Sequence, residues 1–308
     1  MHRRDLRPAC GSFVRLRGLE LHWVELGEGR PLVLLHGLGD SHRTWRTVAP
    51  KLARSRRVLM PDLPGHGLSD RPDASYALEW HADVVGAWLE ALHLNNVDLV
   101  GHSYGGGVAQ QLLLEHAGRI RKLALVASGG LGREVPLSLR LAALPYFVER
   151  LGQPFMGLGT RIALGFAEGT HPAREIVLRA LMNATPGTAR AFARSVRDVI
   201  DWRGQHRAFF DRAHELPVLP PVGLFWGEHD RVIPIAHAAR ALALLHGAVL
   251  MRFAGCGHSP HWEQPERFVS ALEEFLDRPL PAREPASGSR MARPVGARVG
   301  GAYRPHVG

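Results

Sequence analysis

A serine hydroxyl attacks a carbonyl only if a base takes its proton and a third group holds that base in one tautomer. Three side chains of this sequence fall where such chemistry needs them. Gly101-His102-Ser103-Tyr104-Gly105 follows the apolar run VDLV and opens the amphipathic segment YGGGVAQQLLLEHA. Between a strand and a helix, G-x-S-x-G is a turn so tight that Gly101 and Gly105 must lack side chains, which puts Ser103 on its tip. Taken alone, the same five residues also suit an ordinary glycine-rich turn such as a phosphate loop. His258, in AGCGH, directly follows the last predicted strand, and Asp230, in WGEHD, directly follows the strand before it. Their joint placement after three separate strands, in the chain order Ser, Asp, His, separates this arrangement from chance. His261 competes with His258, but Pro260 and Trp262 around it point to packing. Glu228 competes with Asp230 but sits closer to its strand.

Charge that develops on the attacked carbonyl needs two donors. The backbone N–H of Tyr104, at the start of the helix, supplies one, and Gly37 lets the loop His36-Gly37-Leu38-Gly39-Asp40 turn sharply enough for Leu38 N–H to supply the other. A second glycine and proline cluster, DLPGHGLSD over residues 62–70, reads as scaffold in spite of its histidine and aspartates.

These loops require a sheet to present them. Residues 13–17 and 20–25 pattern as an antiparallel pair, followed by apolar runs at 31–35, 57–60, 97–100, 123–126, 222–226 and 249–253. Helical patterns lie between them at 44–53, 78–92, 104–115, 236–245 and 265–276. The alternation predicts an α/β fold with a mostly parallel sheet and helices on both faces. From 132 to 216 no strand is expected, only helical pieces broken by Pro and Gly, which reads as a helical cap. The expected organisation is a flexible N-terminus over 1–11, a core over 12–131 and 217–277, the cap over 132–216, and a disordered basic tail over 278–308. One face of the cap is apolar and aromatic (Leu144, Tyr146, Phe147, Phe155, Phe166, Phe192, Phe209 and Phe210), which suggests a dry pocket. Core packing accounts for most of these residues. The cap arginines Arg174, Arg179, Arg190, Arg194 and Arg197 could supply a pocket for a substrate carboxylate, but their helical spacing leads us to expect them to face water.

Composition removes several alternatives. The net charge of +9 invites a nucleic-acid role, but Arg3, Arg4 and Arg7 against Asp5 give the first ten residues +2, and residues 278–308 carry +5. The body between keeps only +2, which is no basic face. No apolar run reaches the ~18–20 residues of a membrane span, and no apolar region of ~7–15 residues follows the basic start. The expected setting is cytoplasmic, the two cysteines Cys10 and Cys256 are expected to be unbridged, and the expected partner is a small-molecule substrate, with a homodimer left open.

PLVLLHGLGD, MPDLPGHGLSD, DLVGHSYGGGVA, WGEHDRVIP and GCGHSPHWEQPERF together resemble the successive landmarks of the α/β-hydrolase superfamily, over nearly all of residues 12–277. The resemblance implies an eight-stranded sheet, a cap inserted after the sixth strand, no metal and no organic cofactor. Relatives that are dehalogenases or epoxide hydrolases use aspartate at the elbow, which Ser103 disfavours. Meta-cleavage carbon–carbon hydrolases use serine, but Ser259 stands where they usually carry Trp, and their oxyanion loop differs from HGLGD. The sequence reading is therefore a serine hydrolase of an ester, thioester or lactone of a small, mainly apolar acid, acting through an acyl-enzyme, with Ser103 as nucleophile, His258 as base and Asp230 as orienter. Carbon–carbon hydrolysis is the alternative reaction, and a small-molecule receptor the alternative class.

Overall fold

Short Leu and Val runs with no polar interruption need cover on both faces. In the computed structural model, which describes residues 11–144, 147–165 and 173–280, they form one eight-stranded sheet. Its strands are β1 (Ser12–Leu16), β2 (Leu19–Leu26), β3 (Arg30–Leu35), β4 (Arg56–Pro61), β5 (Val97–His102), β6 (Ile120–Val126), β7 (Val222–Gly227) and β8 (Val249–Phe253). The spatial order is β1-β2-β4-β3-β5-β6-β7-β8, and only β2 runs against its neighbours. The helices are α1 (Leu78–Ala91), α2 (Tyr104–His116), α3 (Leu137–Ala142), α4 (Phe147–Leu151), α5 (Met156–Gly165), α6 (Ala173–Asn183), α7 (Thr188–Val199), α8 (Ala236–Leu244) and α9 (Pro265–Asp277). Helices α3 to α7 all lie between β6 and β7 in the chain.

Strand alternation divides the core in two. Val33, Leu35 and Leu99 meet Trp88 of α1 and Val108 and Leu112 of α2 on one face. Leu32, Leu34 and Val100 meet Phe268, Leu272 and Phe275 of α9 on the other. Burying a Leu or Phe side chain contributes roughly 1.5–3 kcal/mol, so these two layers hold the sheet edge rigid where the loops emerge.

Two local expectations are corrected. The helix over 44–53 is broken into a 3-10 turn, His42–Trp45, and a helical turn, Ala49–Leu52. Pro50 has no N–H to continue the first and suits the start of the second. Among the described residues between 132 and 216 there is one strand pair, Ile200–Asp201 with Gly204–Gln205. The basic N-terminal segment, Cys10, Tyr146, Phe166, the side chains of Phe147 and Arg174, and the tail beyond 280 lie outside the described residues. Among the described residues, no helix is long and apolar enough to cross a membrane.

The 62–70 turn is a polar knot under the sheet. Asp62 accepts from His22 Nδ1 at 2.8 Å, His42 N at 2.7 Å and Leu68 N at 2.9 Å, while Ser69 Oγ accepts from His22 N at 2.9 Å. Burial opposes ionisation of Asp62, but the His42 and His22 imidazoles outweigh it and hold the carboxyl well below its usual range. Four other histidines are pushed toward the neutral form by burial. Burial pushes His36 and His81 below the ordinary 6.5 and brings His66 and His102 down to about 3.

These depressed values set the acid response. As pH falls through about 6.5, the unfolded chain takes up protons on these histidines that the folded chain refuses, so stability present above that pH is lost on the way down toward about 3. Each such histidine costs up to about 1.4 kcal/mol per pH unit in that window. We expect the urea-unfolding free energy to drop by more than about 2 kcal/mol per pH unit between about pH 6 and about pH 4. A flat profile there would show that these rings are not held neutral.

Candidate active site

Ser103 sits between β5 and α2 with φ 54° and ψ −117°, a conformation that a non-glycine residue holds only under constraint. Such a backbone costs of order 1–3 kcal/mol. Here Ser103 N donates to Val126 O at 2.9 Å, and Ser103 O accepts from Gly106 N and Gly129 N at 3.0 and 3.1 Å. The flanking glycines are forced by close approach. A Cβ on Gly101 would lie 2.4 Å from Gly105 O, and one on Gly105 would lie 2.3 Å from His36 O.

The loops after β7 and β8 bring the other two residues in. His258 Nε2 is 3.0 Å from Ser103 Oγ, and His258 Nδ1 is 2.9 Å from Asp230 Oδ2. Asp230 is buried, and its other oxygen, Oδ1, accepts from Val232 N and Ile233 N at 2.8 and 2.9 Å. One carboxylate oxygen is thus fixed by the backbone and the second is left for the imidazole. With Nδ1–H donating to Asp230, Nε2 is free to accept the serine proton. The competitors lie elsewhere. Glu228 pairs with Arg252 at 3.1 Å on the surface, and His261 is buried with Nε2 3.0 Å from Thr44 Oγ1 and its ring on Trp45.

The His36 loop closes the site from the β3 side. His36 Nδ1–H donates to Gly37 O at 2.8 Å and Nε2 accepts from Leu63 N at 2.9 Å, which fixes the neutral tautomer. A Cβ on Gly37 would sit 3.3 Å from Ser103 Cβ, so this loop passes directly beside the serine. Leu38 and Tyr104 both line the cavity that contains Ser103 and His258. Tyr104 is the first residue of α2, where the N–H has no partner within the helix.

Three contributors escaped the sequence reading. His102 Nε2–H donates to His258 O at 3.0 Å, so the residue before the serine holds the histidine backbone. Glu263 accepts from Gly257 N at 2.7 Å and Ser259 N at 3.0 Å, gripping the chain on either side of His258. A Glu soon after a loop histidine was the available signal. Arg179 does not face water as expected. It is buried, lies over the Trp262 ring and reaches Asp40 Oδ2 at 3.3 Å and Glu175 Oε1 at 3.4 Å, while its Nη2 has no hydrogen-bond partner. The other described cap arginines are partly exposed and paired, Arg190 and Arg194 with Asp73 and Arg197 with Glu149.

Two cavities meet at this site. The first, about 240 Å³, holds Ser103 and His258 and is walled by aliphatic side chains such as Leu78, Val135, Val196 and Ile233. The second, about 660 Å³, is lined by Arg179, Asn183 and apolar residues of α4 and α5. Leu38 and Phe192 line both. Of the apolar and aromatic residues expected on one cap face, Phe192 lines both cavities, Phe155 lines the second while remaining largely exposed, Phe209 is buried and Leu144 is exposed.

Comparison with known proteins agrees with the fold. An uncharacterised protein of Mycobacterium tuberculosis (strain ATCC 25618 / H37Rv) is 37% identical over 290 residues, covering 91% of this chain and 84% of its own. The 2-hydroxymuconate semialdehyde hydrolase of Pseudomonas sp. (strain CF600) is 32% identical over 284 residues, covering 87% of this chain and 94% of its own. A solved meta-cleavage product hydrolase from Pseudomonas fluorescens IP01 superposes with a TM-score of 0.72 at 25% identity, covering 87% of this chain and 97% of its own. The sequence profile for the alpha/beta hydrolase fold matches residues 30–265, and the chain belongs to that family.

Proposed function

We propose that the protein is a serine hydrolase that cleaves a carbon–carbon bond in a dienoate of the meta-cleavage type. The observation that carries the hydrolytic part is the unbroken hydrogen-bonded line from Ser103 through His258 to buried Asp230 at the floor of an apolar cavity. Ser103 Oγ bonds to the substrate carbonyl carbon as its proton passes to His258 Nε2. Asp230 stabilises the imidazolium, and the N–H groups of Leu38 and Tyr104 receive the oxyanion. Once the dienol has ketonised, the carbon–carbon bond breaks with its electron pair delocalised into the enone as a dienolate, which takes up the proton that His258 carries. Water next attacks the acyl-enzyme as His258 Nε2 takes its proton, His258 passes that proton to Ser103 Oγ as the acyl bond breaks, and the acid leaves. The helices between β6 and β7 act as the cap that keeps bulk water from this sequence of steps.

The carbon–carbon bond displaces the ester expected from the sequence for two reasons. Relatives that align along most of the chain are named as hydrolases of this substrate class. A dienoate also carries a carboxylate, and Arg179 places a buried guanidinium with one unpartnered nitrogen on the cavity adjoining Ser103. Ester hydrolysis stands as the second reading, because Asp40 and Glu175 already offset much of the Arg179 charge.

Steady-state kinetics on a meta-cleavage dienoate and on p-nitrophenyl butyrate distinguishes the two. We expect kcat/KM for the dienoate to exceed that for the ester by about 100-fold, and Arg179→Ala to lower the dienoate value ~10- to 100-fold with little effect on the ester. The opposite order selects the ester reading. Ser103→Ala should abolish both activities, and turnover that survives it would remove the hydrolase assignment. Asp230→Asn should lower turnover on the order of 10⁴-fold through loss of the productive tautomer, whereas Glu228→Gln should leave it near wild type. The reverse ranking would transfer the role to Glu228.

A further inference from the structure

We propose that the outer face of the α5–α6 pair is a docking surface for an anionic lipid membrane. Such docking is independent of the reaction at Ser103. The two helices meet through small groups. A Cβ on Gly157, at the start of α5, would lie 3.1 Å from Ala180 O and 3.2 Å from Ala184 Cβ beside the end of α6, so the pair is antiparallel and closely packed. Asn183 Nδ2 donates to Thr160 Oγ1 at 2.8 Å across the same contact.

Large apolar side chains are left outside. Leu158 and Ile162 lie one turn apart on α5, Val177 and Leu181 lie one turn apart on α6, and all four are between 36% and 55% exposed. Leu158 follows Gly157 and Leu181 follows Ala180, so both stripes are displaced from the contact in the same rotational sense. In an antiparallel pair that sense leads to the same side, and the four form one face. A helical pair surrounded by water would bury these residues against each other. Small residues at the contact with large apolar ones outward is the arrangement that suits lipid.

Charge decides which partner covers this face. Among the described residues from Leu137 to Asn183, both carboxylates are taken by arginines, Glu149 by Arg194 and Arg197 and Glu175 by Arg43 and Arg179. Arg150 and Arg161 are exposed, and Arg161, between the two α5 positions, has no acidic partner among the described residues. A two-fold contact with a second copy would set these arginines against their own kind. Anionic headgroups supply the opposite charge while the apolar side chains enter the acyl boundary.

Cosedimentation of the full chain with extruded vesicles tests this, using phosphatidylcholine alone or with about 30% phosphatidylglycerol. We expect at least ~5-fold tighter binding to the anionic vesicles, weakened ~3-fold or more as salt rises from about 0.05 to about 0.5 M. Leu158→Asp with Ile162→Asp and, on the other helix, Val177→Asp with Leu181→Asp should each weaken binding ~20-fold or more. Arg161→Gln should weaken only the anionic binding, by ~3- to 5-fold. Because these side chains are already exposed, far-UV circular dichroism and melting temperature should match the wild type. No binding by the wild type, or binding that survives either aspartate pair and so belongs to another surface such as the basic tail, would overturn the proposal. Unfolding by both pairs would do the same, since the face would then be packed within the chain. A wild-type dimer that the aspartate pairs dissociate would assign the face to a second copy instead.

Discussion

Backbone packed on backbone at the carboxyl edge of the sheet is the constraint on which the site depends. The elbow after β5 lies against the end of β3, where Gly105 leaves no room for a side chain beside His36 O. The loop after β7 lies against the loop after β8 just as closely, since a Cβ on Gly227 would fall 2.0 Å from Gly257 O. Because β5, β6, β7 and β8 are successive neighbours in the sheet, these contacts place residues 103, 230 and 258 within hydrogen-bond reach although more than a hundred residues separate the first two. A single added methyl group at Gly227 would push apart the two loops that carry the carboxylate and the imidazole. The strain at Ser103 is sustained by the same rigid frame, since the layers of α1, α2 and α9 prevent the strand ends from moving.

Around that frame the titratable groups are sorted by whether they may carry charge. His36 and His102 are buried, pushed by burial toward the neutral form and directed at backbone carbonyls, so they position loops without placing a positive charge next to the imidazolium that the proposed mechanism forms on His258. Asp230 takes two backbone N–H groups on one oxygen, which fixes the carboxylate in place and leaves its second oxygen to the imidazole. Charge is concentrated on a second cluster, where Glu175 receives Arg43 at 2.6 Å and contacts Arg179. That cluster ties α6 to the loop after β3 and brings a guanidinium to the wall of the larger cavity.

The strand runs and the three site residues were legible in the sequence because each rests on a local rule. Continuous Leu and Val runs mark covered strands, and a serine between two obligatory glycines marks a tight turn whatever lies around it. Arg179 was not legible. Its partners Asp40 and Trp262 are distant in the chain, and helical spacing alone cannot distinguish a solvated arginine from one buried over an indole ring. Phe192 likewise read as one aromatic among several, because only the packing of α7 against Leu38 shows that it divides two cavities. The substrate is the least legible part, since a serine, histidine and aspartate in this arrangement suit several carbonyl classes and the cavity walls draw on residues as distant in the chain as Leu78, Val196 and Ile233.

In the proposed mechanism His258, held by Asp230, activates Ser103 above every other hydroxyl in the chain. Intact-mass and peptide analysis after brief exposure to a fluorophosphonate tests this most directly, with wild type and His258→Ala treated in parallel. The account predicts a single adduct, on Ser103, in the wild type and none in the variant over the same interval. An adduct on a different serine, or equal labelling of Ser103 in both proteins, would contradict it.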